Sequence, residues 1–182
     1  MNRPAIALLA VDVQRDFLPG GSLAVSDGDA VVAPLRALSD QVSLVVATRD
    51  FHPLHHCSFV ERGGPWPPHC IIGTPGATIH PDIDAMADLI VSKGTDPKVD
   101  AYSGFDGTGL AGILRSAGVE RVVVGGLATD YCVRATALAA RREGFETEVV
   151  LAAVRAVDVH AGDGDRSVEE MHRAGVAIRE SV

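Results

Sequence analysis

The sequence predicts an α/β protein: a three-layer, doubly wound sheet, mostly parallel, of about six strands. Three observations lead there. Short apolar runs without polar alternation recur along the chain, the pattern of strands buried on both faces. Segments of helical period separate them, and right-handed crossovers of that kind make a parallel sheet covered on both sides. No linker or low-complexity stretch breaks the alternation, so residues 1–182 read as one domain, long enough to bury roughly 70 % of its unfolded surface.

The first run, residues 5–11, lies between Pro4 and Asp12. A turn-rich Leu18-Pro-Gly-Gly-Ser22 follows, then a helix to about Asp40, capped by Ser26 or Asp27, with Val31, Val32, Leu35 and Leu38 on one side. Residues 43–48 form the second strand, with Asp50 just beyond it. From about Asp50 to Pro81 regular structure gives way to Pro, Gly and His, and so long a loop in a compact domain is usually functional. Residues 87–92 are the third strand, followed at once by Lys93; a further loop leads to a helix at 108–117 with Gly118 in the stop position. Residues 121–124 run into Gly125 and Gly126, after which a helix carrying Cys132 in its first turn continues to near Gly144. A fifth strand at 148–152, a capped helix at 165–173 and a short strand at 176–178 complete the chain.

Composition removes several classes of function. The net charge is -8 and Lys and Arg are dispersed, which argues against nucleic acid as a partner. The apolar runs fall well short of the roughly 20 residues that cross a bilayer, so no membrane partner is expected. The first run is cut by Asp12 and followed by no small-residue cleavage site, so it is a strand and not a signal peptide; a soluble, cytoplasmic protein is expected. Cys57, Cys70 and Cys132 cannot all pair within one chain, and reduced thiols are the simplest inference. Composition leaves a homo-oligomer open.

In such a sheet ligands bind beyond the carboxyl ends of the strands. Asp12 follows the first strand, Asp50 and His52 the second, Lys93 the third and Cys132 the fourth, so all converge on one edge. A cysteine at a helix N-terminus tends to a lowered pKa and a thiolate, and the free N–H groups there can hold an oxyanion. The plainer alternatives are a buried cysteine on a small-residue face with Ala135, Thr136, Ala139 and Ala140, and a structural Asp12–Lys93 ion pair. An ionised pair beyond buried strands is costly, however, and an Asp beside a thiol can accept its proton. A second constellation is Asp50-x-His52-x3-His56 with His69 thirteen residues on. Carboxylate and imidazole donors suit Zn, Fe or Mn more than Ca or Mg. Cys57 and Cys70 flank these residues, so spacing leaves a thiolate ligand open; His55 reads as solvated, and His80, His160 and His172 have no cluster around them.

Read in order, Val11-Asp-Val-Gln-Arg-Asp-Phe17, Pro19-Gly-Gly-Ser-Leu23, Thr48-Arg-Asp-Phe-His-Pro53, Trp66-Pro-Pro-His-Cys70, Gly73-Thr-Pro-Gly76, Lys93-Gly94, Tyr102-Ser-Gly-Phe105 and Gly126-Leu-Ala-Thr-Asp-Tyr-Cys-Val-Arg134 match a known pattern over nearly the whole chain. The chain resembles the nicotinamidase/pyrazinamidase branch of the isochorismatase-like cysteine hydrolases. The resemblance implies a triad of Asp12, Lys93 and Cys132. It also implies one divalent metal, zinc first with iron or manganese as alternatives, held by Asp50, His52 and His69, with His56 at the position of a further ligand in some members. A non-proline cis peptide at Leu127–Ala128 is implied, with the N–H groups of Ala128 and Cys132 as the oxyanion hole. Phe17, Leu23, Trp66, Tyr102 and Leu127 match pocket positions, and Tyr131 stands where some relatives have His. The implied reaction converts nicotinamide to nicotinate and ammonia through a Cys132 thioester, in NAD salvage. The alternatives are a cysteine hydrolase of another small amide or ureide, and a metal-binding protein without catalysis. Isochorismate ether cleavage is disfavoured, since that branch lacks the metal loop and the cysteine.

Overall fold

The centre of the molecule is β1 (Ala5–Val11), whose residues Ala7 to Val11 are wholly buried because helices cover both faces of the sheet around it. The structure, a computed structural model, describes residues 5–182; residues 1–4, with Pro4 and the start of the expected 1–182 domain, lie outside the described residues. The other strands are β2 (Leu44–Asp50), β3 (Leu89–Lys93), β4 (Val119–Leu127), β5 (Glu146–Arg155) and β6 (Ala177–Arg179). They form one sheet in the order β3-β2-β1-β4-β5-β6, with every pairing parallel.

Alternation along each strand sorts side chains into two cores. Leu8 and Ala10 of β1, Val45 and Ala47 of β2 and Val123 of β4 face Leu35 and Leu38 of α1 (Val32–Ser39) and Ile83 of α2 (Pro81–Met86). Ala7, Leu9 and Val11, with Val46, Val122 and Val124, face the other way. They meet Leu110 and Leu114 of α3 (Leu110–Ser116), Ala137 and Ala140 of α4 (Arg134–Arg142) and Met171 of α5 (Asp163–Arg173). Each fully buried leucine contributes about 2 kcal/mol by its burial. No helix among the described residues is long and apolar enough to cross a membrane.

Several boundaries differ from the sequence expectation. The sheet is parallel throughout, not merely mostly so. Strands β2 and β3 run to Asp50 and Lys93, which therefore end their strands as a registered pair where the sequence placed them just beyond. Asp27 does not cap α1: it adopts a left-handed φ of 51°, and a 3-10 turn at Gly28–Val31 leads into the helix. Helix α2 fills the residues left unassigned between the Pro/Gly-rich stretch and the third strand; Pro81 opens it and the His80 side chain accepts the Asp82 N–H. Finally, Cys132 lies not in the first turn of α4 but in a π turn, Thr129–Val133, that precedes it.

The connections leave β1 and β4 toward opposite sides, so the crevice between their carboxyl ends is the switch point of the sheet. Gly126 makes the close approach there: it pairs with Val11, has φ 120°, and a Cβ on it would collide with the Val11 backbone. Gly126→Ala is therefore expected to destabilise the protein by about 3 kcal/mol. Thermal unfolding would show this as a midpoint lowered by roughly 6–12 °C; an unchanged midpoint would contradict the close packing described.

Candidate active site

Four side chains from four strand ends meet at this crevice. Asp12 follows β1 in a left-handed conformation, φ 49°, and is wholly buried; its N–H donates to Thr48 O at 3.2 Å and its Oδ1 accepts the Thr48 hydroxyl at 2.6 Å. Lys93, at the end of β3, is 1 % exposed. Its Nζ lies 2.5 Å from Asp50 Oδ1, 2.9 Å from Asp12 Oδ2, 3.1 Å from Ala101 O and 3.4 Å from Cys132 Sγ. The contact with Asp12 Oδ2 is an ion pair out of line for a hydrogen bond, and no other donor among the described residues fills that oxygen. Ligand atoms of Asp12, Asp50 and Cys132 all lie within 4.8 Å of one another.

One ammonium serves two carboxylates, and the result is uneven. Burial raises the Asp12 pKa, the Lys93 charge opposes this and the Asp50 charge reinforces it, leaving Asp12 above the ordinary carboxylate value. Burial acts the same way on Asp50, but the charges of Lys93 and of the nearby His52 ring outweigh it and hold Asp50 well below that value. For Lys93, burial works against the ammonium, yet Asp12 and Asp50 overcome it and keep it charged. Cys132 corrects an expectation: burial pushes its pKa well above that of a free thiol, Lys93 opposes, and the two carboxylates add to the rise. The raised pKa favours a Cys132 thiol over the thiolate that a helix N-terminus suggested.

Asp50, His52 and His69 form the second constellation, with ligand atoms within 4.8 Å of one another and all three buried. Their donor chemistry suits a divalent cation. His52 Nδ1 is committed to Gly94 O at 2.9 Å and His69 Nδ1 to Pro67 O at 2.8 Å, which turns both Nε2 atoms toward Asp50 Oδ2, at 3.6 and 3.9 Å. Gly94 must be glycine for this, since a Cβ there would collide with the His52 ring. Burial lowers the His69 pKa, favouring the neutral, ligating form; for His52 burial is outweighed by its contacts with Asp50, and the pKa is raised.

His56 does not join the trio, contrary to the four-ligand expectation. Its Nδ1 bonds Ser58 Oγ at 2.7 Å and its Nε2 bonds Val99 O at 3.1 Å, so both ring nitrogens are engaged. The ring stacks on His52 with centroids 4.1 Å apart and so backs one member of the trio. Neither Cys57 nor Cys70 joins the trio either, and burial keeps the Cys70 thiol protonated.

Both constellations open into one cavity. Cys132, Asp50 and His69 reach it, and Phe17, Leu23, Trp66, Tyr102, Leu127 and Tyr131 line it. Trp66 Nε1 donates to the Tyr102 hydroxyl at 3.0 Å, and Tyr131 meets the Trp66 ring edge-to-face at 4.9 Å. Burial pushes the Tyr102 phenol up to about 12, so it stays neutral. The Leu127–Ala128 peptide is cis. In the π turn Tyr131 N–H and Val133 N–H both donate to Ala128 O, at 3.1 and 3.0 Å, a pattern that passes over Cys132 N–H.

Sequence reasoning missed several contributors. Val25 and Val157 also line the cavity, and no local signal marks them. Gln14 is wholly buried and grips Asp50 on both sides, its Oε1 accepting Asp50 N–H at 2.7 Å and its Nε2 donating to Asp50 O at 2.8 Å and Ala77 O at 3.0 Å. Asp16 accepts Cys70 N–H at 2.7 Å and so anchors the segment carrying His69. Both residues sit in the quoted Val11 to Phe17 motif, but their tasks are visible only once distant segments are folded together.

Comparison with known proteins agrees with this arrangement. A family model described as the Isochorismatase domain matches residues 6–180. The chain is 44 % identical over 191 residues to the nicotinamidase/pyrazinamidase of Mycobacterium tuberculosis, covering 94 % of this chain and 97 % of that one. In structure it is similar to the pyrazinamidase of Pyrococcus horikoshii in complex with zinc, with TM-score 0.91, 49 % identity and 97 % and 99 % of the two chains covered. A structure from L. infantum in complex with nicotinate gives TM-score 0.91 and 39 % identity over 97 % and 93 % of the chains. With its strand order, its buried Asp–Lys–Cys cluster and a match over nearly its whole length, the chain belongs to the isochorismatase domain family.

Proposed function

We propose that the protein, as a single hydrolase domain, converts nicotinamide to nicotinate and ammonia, and hydrolyses pyrazinamide by the same route, through a thioester on Cys132. One observation carries the reading: the Lys93 ammonium touches Cys132 Sγ at 3.4 Å, Asp12 at 2.9 Å and Asp50 at 2.5 Å, joining the nucleophile and its base to the Asp–His–His trio at the floor of an aromatic cavity. The relatives named above support the substrate. The three free cysteines fit a reducing compartment, and we place the protein in the cytoplasm on that ground.

Asp50, His52 and His69 would hold a divalent ion, for which we assign zinc from the mixed carboxylate and imidazole donors and the zinc-bound relative. When bound, the ion supplies a Lewis acid facing the cavity, where the ring nitrogen of the substrate can be oriented. Phe17, Trp66 and Tyr131 enclose the ring and exclude water. Asp12 Oδ2 takes the Cys132 proton as sulfur attacks the carboxamide carbon, and Lys93 offsets the charge on both groups. The N–H groups of Ala128 and Cys132 hold the tetrahedral oxyanion. The C–N bond then breaks as Asp12 returns the proton to the leaving nitrogen, and ammonia departs. Water, deprotonated by Asp12, cleaves the thioester, regenerating the Cys132 thiol and releasing nicotinate.

Three outcomes are expected. In an ammonia-release assay on nicotinamide, Cys132→Ala should lower kcat/KM by about 10³-fold or more; turnover that survives the substitution would remove the thioester. The pH profile follows from Asp12, which must be ionised to accept a proton. Its pKa is raised above 3.8, so activity turns on as pH rises through that raised value, and the acid limb of kcat/KM should lie above 3.8. Thr48→Val removes the hydrogen bond that favours the ionised form and should move this limb upward by about one unit. An unmoved limb would detach Asp12 from the profile. Metal removal by a chelator should raise KM at least about tenfold, because the lost contact orients the substrate, while the melting midpoint falls only slightly, since Gln14 and Lys93 still hold Asp50. Unchanged constants in stripped protein would take the metal out of substrate binding.

A further inference from the structure

One residue of the catalytic turn has no part in the chemistry above. Asp130 lies two residues before Cys132 and is 5 % exposed. Its Oδ1 accepts Val157 N–H at 2.9 Å and its Oδ2 accepts Asp158 N–H at 2.8 Å. Both carboxylate oxygens are thus spent on consecutive backbone donors of the loop that follows β5. Such charge-assisted bonds are about twice as strong as neutral ones and fix direction as well as distance.

That loop carries a wall of the cavity, since Val157 lines it beside Leu127 and Ala128. The same loop is held from its far side. Asp158 adopts a left-handed φ of 52°, and its Oδ1 accepts Gly164 N–H at 2.8 Å in the first turn of α5. Val157 therefore sits between two anchors, one on the nucleophile's own turn and one on α5.

From this geometry we infer that Asp130 is a positioning and specificity-determining residue: it fastens the Val157 wall to the turn that bears Cys132, so that the space for the substrate ring is gauged from the nucleophile itself. The inference rests on the nicotinamide reading for its substrate and on the two hydrogen bonds for its mechanism. Loosening the wall weakens ring binding and relaxes discrimination by ring size, while the Asp12–Lys93–Cys132 chemistry stays assembled.

Asp130→Asn tests it. The amide keeps the volume and can still accept one N–H, but its NH₂ faces the other N–H, so one anchor becomes a repulsion. KM for nicotinamide should rise about tenfold with kcat within about threefold of wild type, and the preference for nicotinamide over 5-methylnicotinamide should narrow about fivefold. Amide exchange at Val157 and Asp158 should speed up at least about tenfold. Val157→Ala should raise KM similarly, and Asp130→Asn/Val157→Ala should raise it little further, since both act through one wall. Asp158→Gly keeps the left-handed backbone and cuts the other anchor; it should move KM the same way and serves if Asp130→Asn does not fold. A lower melting midpoint with unchanged KM would reduce Asp130 to a stability role, and fully additive effects or unchanged exchange would overturn the clamp. Wild-type protein that releases no ammonia from nicotinamide would instead overturn the substrate reading, while the exchange measurement still decides the clamp.

Discussion

The structure of this site depends on one buried ammonium. Among the described residues Lys93 is the only cation in direct contact with both Asp12 and Asp50, and its charge cannot neutralise two carboxylates at once. Asp50 lies closer, has the His52 ring beside it as well, and holds its negative charge. Asp12 is left with a raised pKa, an oxygen without an aligned donor, and a thiol nearby. The asymmetry divides the work: the carboxylate that stays ionised suits a cation site, and the one that readily takes a proton suits a base. A buried ion pair is weak support for stability, so its retention here is better explained by what it does to its neighbours.

The sheet makes that cluster possible. Asp50 and Lys93 are paired in register at the ends of β2 and β3, so adjacent parallel strands deliver opposite charges to the same level. Asp12 and the catalytic turn leave from β1 and β4, which pair through Val11 and Gly126, the two strands of the switch point. Shifting either pair by one residue would turn these side chains to the opposite face. Fold and chemistry are thus set by the same registers.

Much of this was legible in the chain. Uninterrupted apolar runs such as Ala5 to Val11 identified strands covered on both faces, and the polar residue after each run marked the edge where ligands bind. The motif stretches carried the family resemblance, and with it the pocket side chains from Phe17 to Tyr131. What stayed hidden depends on contacts between distant segments. His56 has the residue type and spacing of a ligand, and only the positions of Ser58 Oγ and Val99 O show that its nitrogens are already engaged. Helix α2 was masked because Pro81 and its neighbours read as loop, although proline at the first helical position is a start signal. Val157 lies 25 residues beyond Cys132 and is tied to its turn by the carboxylate of Asp130.

The thiol of Cys132 shows how a correct local rule can lose to its surroundings. A helix N-terminus stabilises a nearby anion by about 0.3–1 kcal/mol, which is less than one pKa unit at about 1.36 kcal/mol each. Here the cysteine precedes α4 in a π turn, is almost fully buried, and faces two carboxylates as well as the one ammonium. Desolvation and those carboxylates outweigh the local field, so the proton stays on sulfur until something accepts it. Asp12 is placed to do so. A thiol at rest is also less open to stray alkylation and oxidation than a thiolate. The π turn then contributes geometry in place of charge: Ala128 O takes the N–H groups of both Tyr131 and Val133, which fixes the turn on either side of Cys132.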